Sequence, residues 1–405
     1  MKEYIKSLPK YIQRVLHGEF KVLIAGLFLP YQYIVIHLGN FAIFSYLYLR
    51  KPLVKEKGKK RILQISPLTT KPYIISRVLR NLGHESSFLA IGDVSKYWLR
   101  YGEKGYDINI DSSKCSNLRR PFYELFQFWK CVSRYDVFHY HFLASFFSCF
   151  SFCELKYLKI LGKRIVFHFR GCDIREKAAT KGKYELSCCT ECDYPLEACK
   201  NSFKEKNRNL AKRYGDLFLV TTPDLLQYIP EAHHVPFMRD ILDYESIPPL
   251  PKQNGIIRIV HATNHDGIEG TRYVEQAITR LKSESYPVEL IIVRKVPHET
   301  ALQIFKSADI CISKLMMGYY ANFQIESMAM GKPTLCYIRE DLKAFAPDCP
   351  IISTTPKNVY ENLKRLCDDG SLRESLGRKG VEFVRKEHDN SKIVTRLLRY
   401  YGILE

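Results

Sequence analysis

SKLMMGYYANFQIESMAMGKPTLCY, residues 313–337, is the stretch on which the reading of this chain turns. It follows an apolar run, Asp309-Ile-Cys-Ile-Ser313, and opens into a polar-aromatic loop. A helix is predicted from about Asn322 to Met330, stopped by Gly331 and Pro333 and followed by a second buried run. Strand, loop, helix and strand in this order belong to a parallel α/β sheet, which binds ligands outside the carboxyl ends of its strands. Glu326 falls one turn into the helix, where a carboxylate can accept hydrogen bonds from paired hydroxyls such as those of a ribose. An ordinary surface acid is the other reading.

The rhythm extends both ways. Strands are predicted at Ile256–Ala262, Val288–Val293 and Asp309–Ser313, with helices at Thr271–Lys282 and Glu299–Lys306 between them. The loop from His261 to Thr271 offers backbone N–H groups at a helix N-terminus, a natural seat for a diphosphate. Three helices follow, at about Lys357–Asp368, Ser371–Glu387 and Asn390–Tyr400. Upstream, Pro248-Pro249-Leu250-Pro251 marks residues 236–255 as a linker.

The first half repeats the pattern. Arg61–Ser66 reads as a strand, then comes a loop holding Thr69, Thr70 and Lys71, a helix stopped by Gly83, and a strand to Ile91. The turn lacks the glycine spacing of a dinucleotide site. Asp136-Val-Phe-His-Tyr-His141 sets His139 and His141 on one strand face. Arg164–Arg170 runs into Gly171-Cys-Asp173, bringing His168, Arg170 and Asp173 to a sheet edge. There a guanidinium could hold phosphate and a carboxylate could orient an acceptor hydroxyl; His139 and His168 could equally be satisfied core histidines. In the insertion at about 172–200, Cys189 and Cys192 have metal-ligand spacing, with Cys188 and Cys199 as further thiols. Structural zinc and free thiols in a loop are both open readings.

At 405 residues, 46% hydrophobic and 26% charged, the chain has enough core for two domains. Its thirteen cysteines are odd in number and sit mostly in apolar runs, which points to a reducing compartment. The formal charge of +19 raises nucleic acid, anionic membrane and phosphorylated substrates as partners. No nucleic-acid motif is present and the charge is dispersed, so nucleic acid is set aside. Val22–Leu49 carries no formal charge and as a helix would be about 42 Å long, but Pro30, Gln32, His37, Gly39 and Asn40 interrupt it. Basic residues flank both ends, which suits an in-plane or re-entrant anchor at the cytoplasmic face better than a single span. A buried helical hairpin is the alternative.

The pieces HATNHDGIEGT (261–271), PHETAL (297–302), ADICIS (308–313) and YYANFQIESMAMGKP (319–333) resemble the donor half of glycosyltransferase family 4. YDVFHYHF (135–142), HFRGCDIR (168–175) and PDLLQYIPEAHHVPF (223–237) resemble that family's bacterial cell-surface polysaccharide members. The resemblance covers about residues 60–400. It implies an α/β, GT-B fold of two Rossmann-like domains facing a central cleft, preceded here by a hydrophobic arm, 1–58. The domains would be 59–235 on the acceptor side, 256–388 on the donor side, and a C-terminal helix, 389–405, packing back.

The implied activity is transfer of a sugar, with retention, from a nucleotide diphosphate sugar to a glycan or lipid-linked acceptor, with no cofactor required. Glu326 matches the ribose-binding glutamate and Gly267–Thr271, with Gly270, the phosphate loop. The pattern also breaks: Gly318, with Tyr319 beside it, replaces a glutamate, Glu269 replaces a lysine, and Arg170 replaces a histidine. Arg294 and Lys314, at strand ends, are expected to resupply the lost charge, with Asn322 at the head of the helix. The expected catalytic group is His168, Arg170 and Asp173, with Thr69, Thr70, Lys71 and His141 toward the acceptor. A non-catalytic scaffold that binds a nucleotide sugar, and an epimerase of the same fold, are the alternatives.

Overall fold

The computed structural model describes residues 29–46, 60–67, 70–94, 105–142, 144–148, 151–195, 199–239 and 241–404. Most of the basic flanks of the arm, and Thr69, lie outside the described residues. Two parallel sheets result, each covered by helices on both faces. The first has seven strands in the order β3-β2-β1-β4-β5-β6-β7: β1 Arg61–Ser66, β2 Glu85–Ile91, β3 Ile108–Ile110, β4 Val137–His141, β5 Arg164–Phe169, β6 Leu217–Val220 and β7 His233–His234. The second has five in the order β12-β11-β10-β8-β9: β8 Ile257–Ala262, β9 Val288–Val293, β10 Ile310–Ile312, β11 Thr334–Cys336 and β12 Ile352–Ser353. Strand order reverses between β1 and β4 in one sheet and between β8 and β10 in the other, which opens a crevice at each carboxyl edge.

The helices longer than one turn are α1 (29–46), α2 (Thr70–Asn81), α3 (Arg120–Arg134), α4 (Glu154–Ile160), α5 (Lys177–Lys183) and α6 (Asn201–Tyr214), then α7 (Thr271–Ser283), α8 (His298–Ser307), α9 (Asn322–Ala329), α10 (Val359–Asp368), α11 (Gly370–Glu387) and α12 (Asn390–Tyr400). Strand side chains alternate between the two faces, and each set meets its own helices. In the first sheet Phe138, Tyr140 and Phe167 pack under Phe128 of α3 and Leu155 of α4. Ile62, Val137 and Val166 pack on the opposite face, under α2 and α12. α12 therefore belongs, by packing, to the first domain: Ile393, Val394, Leu397 and Leu398 are all buried there. Gly331 takes φ 73° just past α9, the left-handed stop expected of it.

α1 corrects the reading of its polar residues. Gln32, Ile36 and Asn40, spaced four apart, are its buried edge. Gln32 Nε2 donates to the Asn117 carbonyl at 3.0 Å, and Gly39 lies so close to Leu125 that a Cβ would sit 2.5 Å from its Cδ1. The residues that interrupt the apolar run in the sequence are the ones that dock the helix. Its apolar side chains, Tyr33, Ile34, Leu38 and Phe41, face outward. Among the described residues no helix is long and apolar enough to cross a membrane.

Candidate functional site

The second sheet supplies the floor. His261 ends β8 and is fully buried; its Nδ1 lies 2.9 Å from the Ile312 carbonyl and its Nε2 2.9 Å from Thr271 Oγ1. One imidazole thus clamps the switch point between β8 and β10 to the start of α7. Thr271 has a single hydroxyl hydrogen to divide between that ring and Asp266 Oδ1, 3.0 Å away. Thr271 is therefore committed within the protein.

The cations expected to meet a diphosphate are also paired. Arg294 donates through Nη2 to Asp266 at 2.9 Å. Lys314, at φ 59°, donates through Nζ to Glu269 at 3.0 Å. Glu269 also accepts the Asn264 N–H at 2.8 Å. Burial pushes its carboxyl up, but the charge of Lys314 and these hydrogen bonds outweigh that and leave it below the usual carboxylate range. The substituted acid thus carries its own counter-ion. Asp266 and Glu269 cancel the charge that Arg294 and Lys314 were expected to resupply.

Glu326 is buried in α9 and meets a partner from the linker. Arg239 donates through Nε and Nη2 to Oε1 at 3.1 and 2.9 Å, and His298 Nε2 lies 3.3 Å from the same oxygen. Burial alone would raise this carboxyl, yet Arg239 and His298 together hold it below the ordinary range. The Arg239 N–H donates to the His388 carbonyl at 2.8 Å, which fixes it at the junction of the domains. Asn322 opens α9 and is exposed. Tyr319 differs from expectation: it is buried in the core and donates to the Phe345 carbonyl at 3.2 Å, so it packs rather than faces a sugar. Gly318 takes φ 83° beside the Arg339 side chain.

The first sheet supplies the wall. Thr70 opens α2. Lys71 follows, its amine 3.3 Å from the centre of the Phe237 ring. Burial, then Arg170 and Arg239, push that amine well below the ordinary lysine range, while Glu326 pulls it back up. Lys71, Ile75, His168, Arg170, Thr221 and Met238 line a narrow pocket. The wall and Glu326 are thus electrostatic neighbours across the cleft.

Two expected residues have other tasks. Asp173 accepts the backbone N–H groups of Arg170 and Gly171, the latter at 2.7 Å, so its carboxylate closes the turn rather than orienting an acceptor. His141 is fully buried and bonded to Gln64 at 2.7 Å, beneath the surface an acceptor could touch.

Of the two readings of the cysteine insertion, the thiols are free in the structure. Cys188 and Cys189 pack against Ile268, with their sulfurs 3.9 Å apart. Among the described residues Cys188, Cys189, Cys192 and Cys199 bring no three thiols within ligating range. The insertion instead straps the two domains together. Glu191 accepts from Arg272 Nη2 and from the Tyr273 hydroxyl, both at 2.6 Å, and Tyr194 stacks on His265 at 3.9 Å. A Cβ on Gly267 would lie 2.0 Å from the Glu191 carbonyl oxygen; the glycine is needed for the strap, whatever ligand binds.

Two α/β domains with their sheet edges facing one cleft, closed by a returning C-terminal helix, make this a GT-B fold. Residues 259–399 match the family model described as glycosyl transferase-like. Among solved structures, sucrose-phosphate synthase from Thermosynechococcus elongatus is similar at 13% identity and TM-score 0.54, covering 85% of this chain and 98% of that one. An alpha-glucosyltransferase in complex with UDP and a 13-mer DNA has 12% identity and TM-score 0.53, over 85% and 100%. The catalytic domain of starch synthase IV from Arabidopsis thaliana, bound to ADP and acarbose, has 9% identity and TM-score 0.52, over 85% and 99%. No curated protein matches the sequence.

Sequence reasoning missed Arg239, His298 and Glu191. Arg239 closes the apolar run Val235-Pro-Phe-Met238, and a cation so placed is a signal that it meets a buried acid.

Proposed function

We propose that the chain is a glycosyltransferase that moves a sugar, with retention, from a nucleoside diphosphate sugar to a glycan or lipid-linked acceptor in surface-glycan assembly. One observation carries the reading. Lys71 of the first domain shares a pocket lining with Arg170 and lies near enough to feel the charges of Glu326 and Arg239, at the strand edges where an α/β fold takes its ligands. With the cations of the second domain neutralised, Lys71 and Arg170 are the groups that would stabilise a leaving diphosphate, and Glu326 is the group for the ribose. The glycosyl transferase-like match over the donor half supports this; two of the similar structures hold UDP and ADP. Closure between the domains would position the reactants and exclude water.

The acceptor reading puts the chain at the cytoplasmic face of a membrane. The outward side of α1, with Ile34, Leu38 and Phe41, and Phe122 and Phe126 of α3 give an apolar surface suited to a bilayer. Co-sedimentation with anionic vesicles checks this, and loss of binding in L38E/F41E is the expected result.

The pairing of Asp266 with Arg294 and of Glu269 with Lys314 favours a second reading, a nucleotide-sugar binder without transfer. A thermal-shift panel of nucleoside diphosphate sugars, followed by product analysis with a polyprenyl-linked acceptor, separates the two. At one hundred times Kd a bound donor adds about 2.7 kcal/mol. Stabilisation with product supports transfer, stabilisation without product supports the binder, and no stabilisation by any donor refutes both.

A further inference from the structure

The face of the first sheet under α12 changes character along its strands. Ile62, Val137, Val166 and Leu217 form its apolar end. Toward the carboxyl edge the same face carries Gln64, His139, His141 and His168. Register brings them together: Gln64 pairs with His139 and His141 with His168. All three histidines are buried. Each is anchored through one ring nitrogen: His139 Nδ1 to the Tyr401 hydroxyl at 2.6 Å, His141 Nε2 to Gln64 Oε1 at 2.7 Å, and His168 Nε2 to Thr221 Oγ1 at 3.1 Å. The other nitrogens, His139 Nε2, His141 Nδ1 and His168 Nδ1, have no hydrogen-bond partner among the described residues. One ligand nitrogen from each ring lies within 4.8 Å of the other two.

We propose that His139, His141 and His168 bind one divalent transition-metal ion, Zn2+ or a close relative, as a three-histidine centre. A buried polar atom left unpaired is costly, and three in one place call for a shared partner. An outer residue that fixes the second nitrogen of each ring is the arrangement by which proteins orient metal-binding imidazoles. Burial keeps the rings neutral, with lone pairs available. Neutral imidazole alone, without carboxylate or thiolate, suits zinc and its neighbours rather than Mg2+ or Ca2+. His139 stacks on both other rings, within 13° of parallel to His168, whereas His141 and His168 are tilted by 36°. Lys71 and Arg170 oppose a dication here, which restricts the site to metals that hold imidazole strongly. His168 also lines the narrow pocket that Lys71 and Arg170 share. The proposal is independent of the transferase reading.

The test uses the full chain, stripped with a chelator, dialysed against Zn2+ and then desalted. One zinc per chain by mass spectrometry is the expected result, and none retained overturns the proposal. Co2+ in place of zinc should give visible d–d absorption without a thiolate charge-transfer band. A thiolate band that vanishes in C188S/C189S/C192S/C199S would assign the metal to the cysteines and overturn the proposal. H141Q and H168N should each lose the metal while the cysteine variant keeps it. If the histidine variants fail to fold, the cobalt spectrum of the unaltered protein decides.

Discussion

Arg239→Met removes the cation that holds Glu326 while keeping most of the side-chain bulk. The arginine is 13% exposed and the glutamate 5%, so neither charge is well hydrated. Breaking a buried pair at one end costs about 3–5 kcal/mol, because the partner is left charged and unpaired. His298 keeps one contact with the same oxygen and is itself 44% exposed, which argues for the lower end, about 3 kcal/mol. That is roughly two decades in an opening equilibrium. Hydrogen exchange read by mass spectrometry should show protection of the α9 amides falling by that factor at pH 7.

The sign with pH follows from the pair. In the unaltered chain Glu326 sits below the ordinary carboxylate range. Its contribution is therefore full above the unfolded pKa and is lost as pH falls through the folded one. In the variant, burial dominates and raises that pKa, so protonation relieves the penalty. The gap between the two proteins should narrow as pH drops toward the carboxylate range, and R239M/E326Q should recover much of the loss. Protection unchanged within a factor of three at pH 7, or a gap independent of pH, would refute the reasoning.

Gly331→Ala, at φ 73° with its nearest neighbour 3.9 Å away, should cost about 1–2 kcal/mol from backbone conformation alone. Gly270→Ala, at φ 75° with its Cβ 2.8 Å from that of Leu315, should cost about 1–3 kcal/mol more from overpacking; equal urea midpoints would contradict the packing argument. Burial lifts the Glu154 carboxyl to about 7, despite its bonds from the Phe146 N–H and the Ser145 hydroxyl. Stability should therefore fall by up to about 3 kcal/mol as pH rises from the unfolded carboxylate value through 7. E154Q should flatten that slope in denaturant melts.

The strands that were legible are short apolar runs closed by glycine, proline or a charge, as at Val288–Val293, where expectation and structure coincide; Ile108–Ile110, Leu217–Val220, His233–His234 and Ile352–Ser353 are too short to show a pattern and were not read. The stop at Gly331 was legible for the same local reason. What escaped was set by distance along the chain. Glu269 read as a repeller and Lys314 as a phosphate ligand, whereas 45 residues of separation bring them into one ion pair. Glu191 and Arg272, 81 apart, meet only once the domains close. The histidines were read strand by strand, so one was assigned to catalysis and another to an acceptor; only register shows that they are neighbours on one sheet face. In α1 the polar residues read as interruptions belong to its docking edge, with Gln32 donating to the Asn117 carbonyl 85 residues away.

The return of α12 bears on how the molecule is made. The chain crosses between the domains at the linker and again near His388. There the Arg239 N–H meets the His388 carbonyl and the His388 ring meets the Phe237 carbonyl at 2.7 Å, so the two crossings run side by side. The first domain is thus finished by residues that follow the whole of the second in sequence. Without Ile393–Leu398, the sheet face bearing the three histidines is covered by α2 alone. Neither half can be cut from the chain as one continuous piece without baring that apolar stripe.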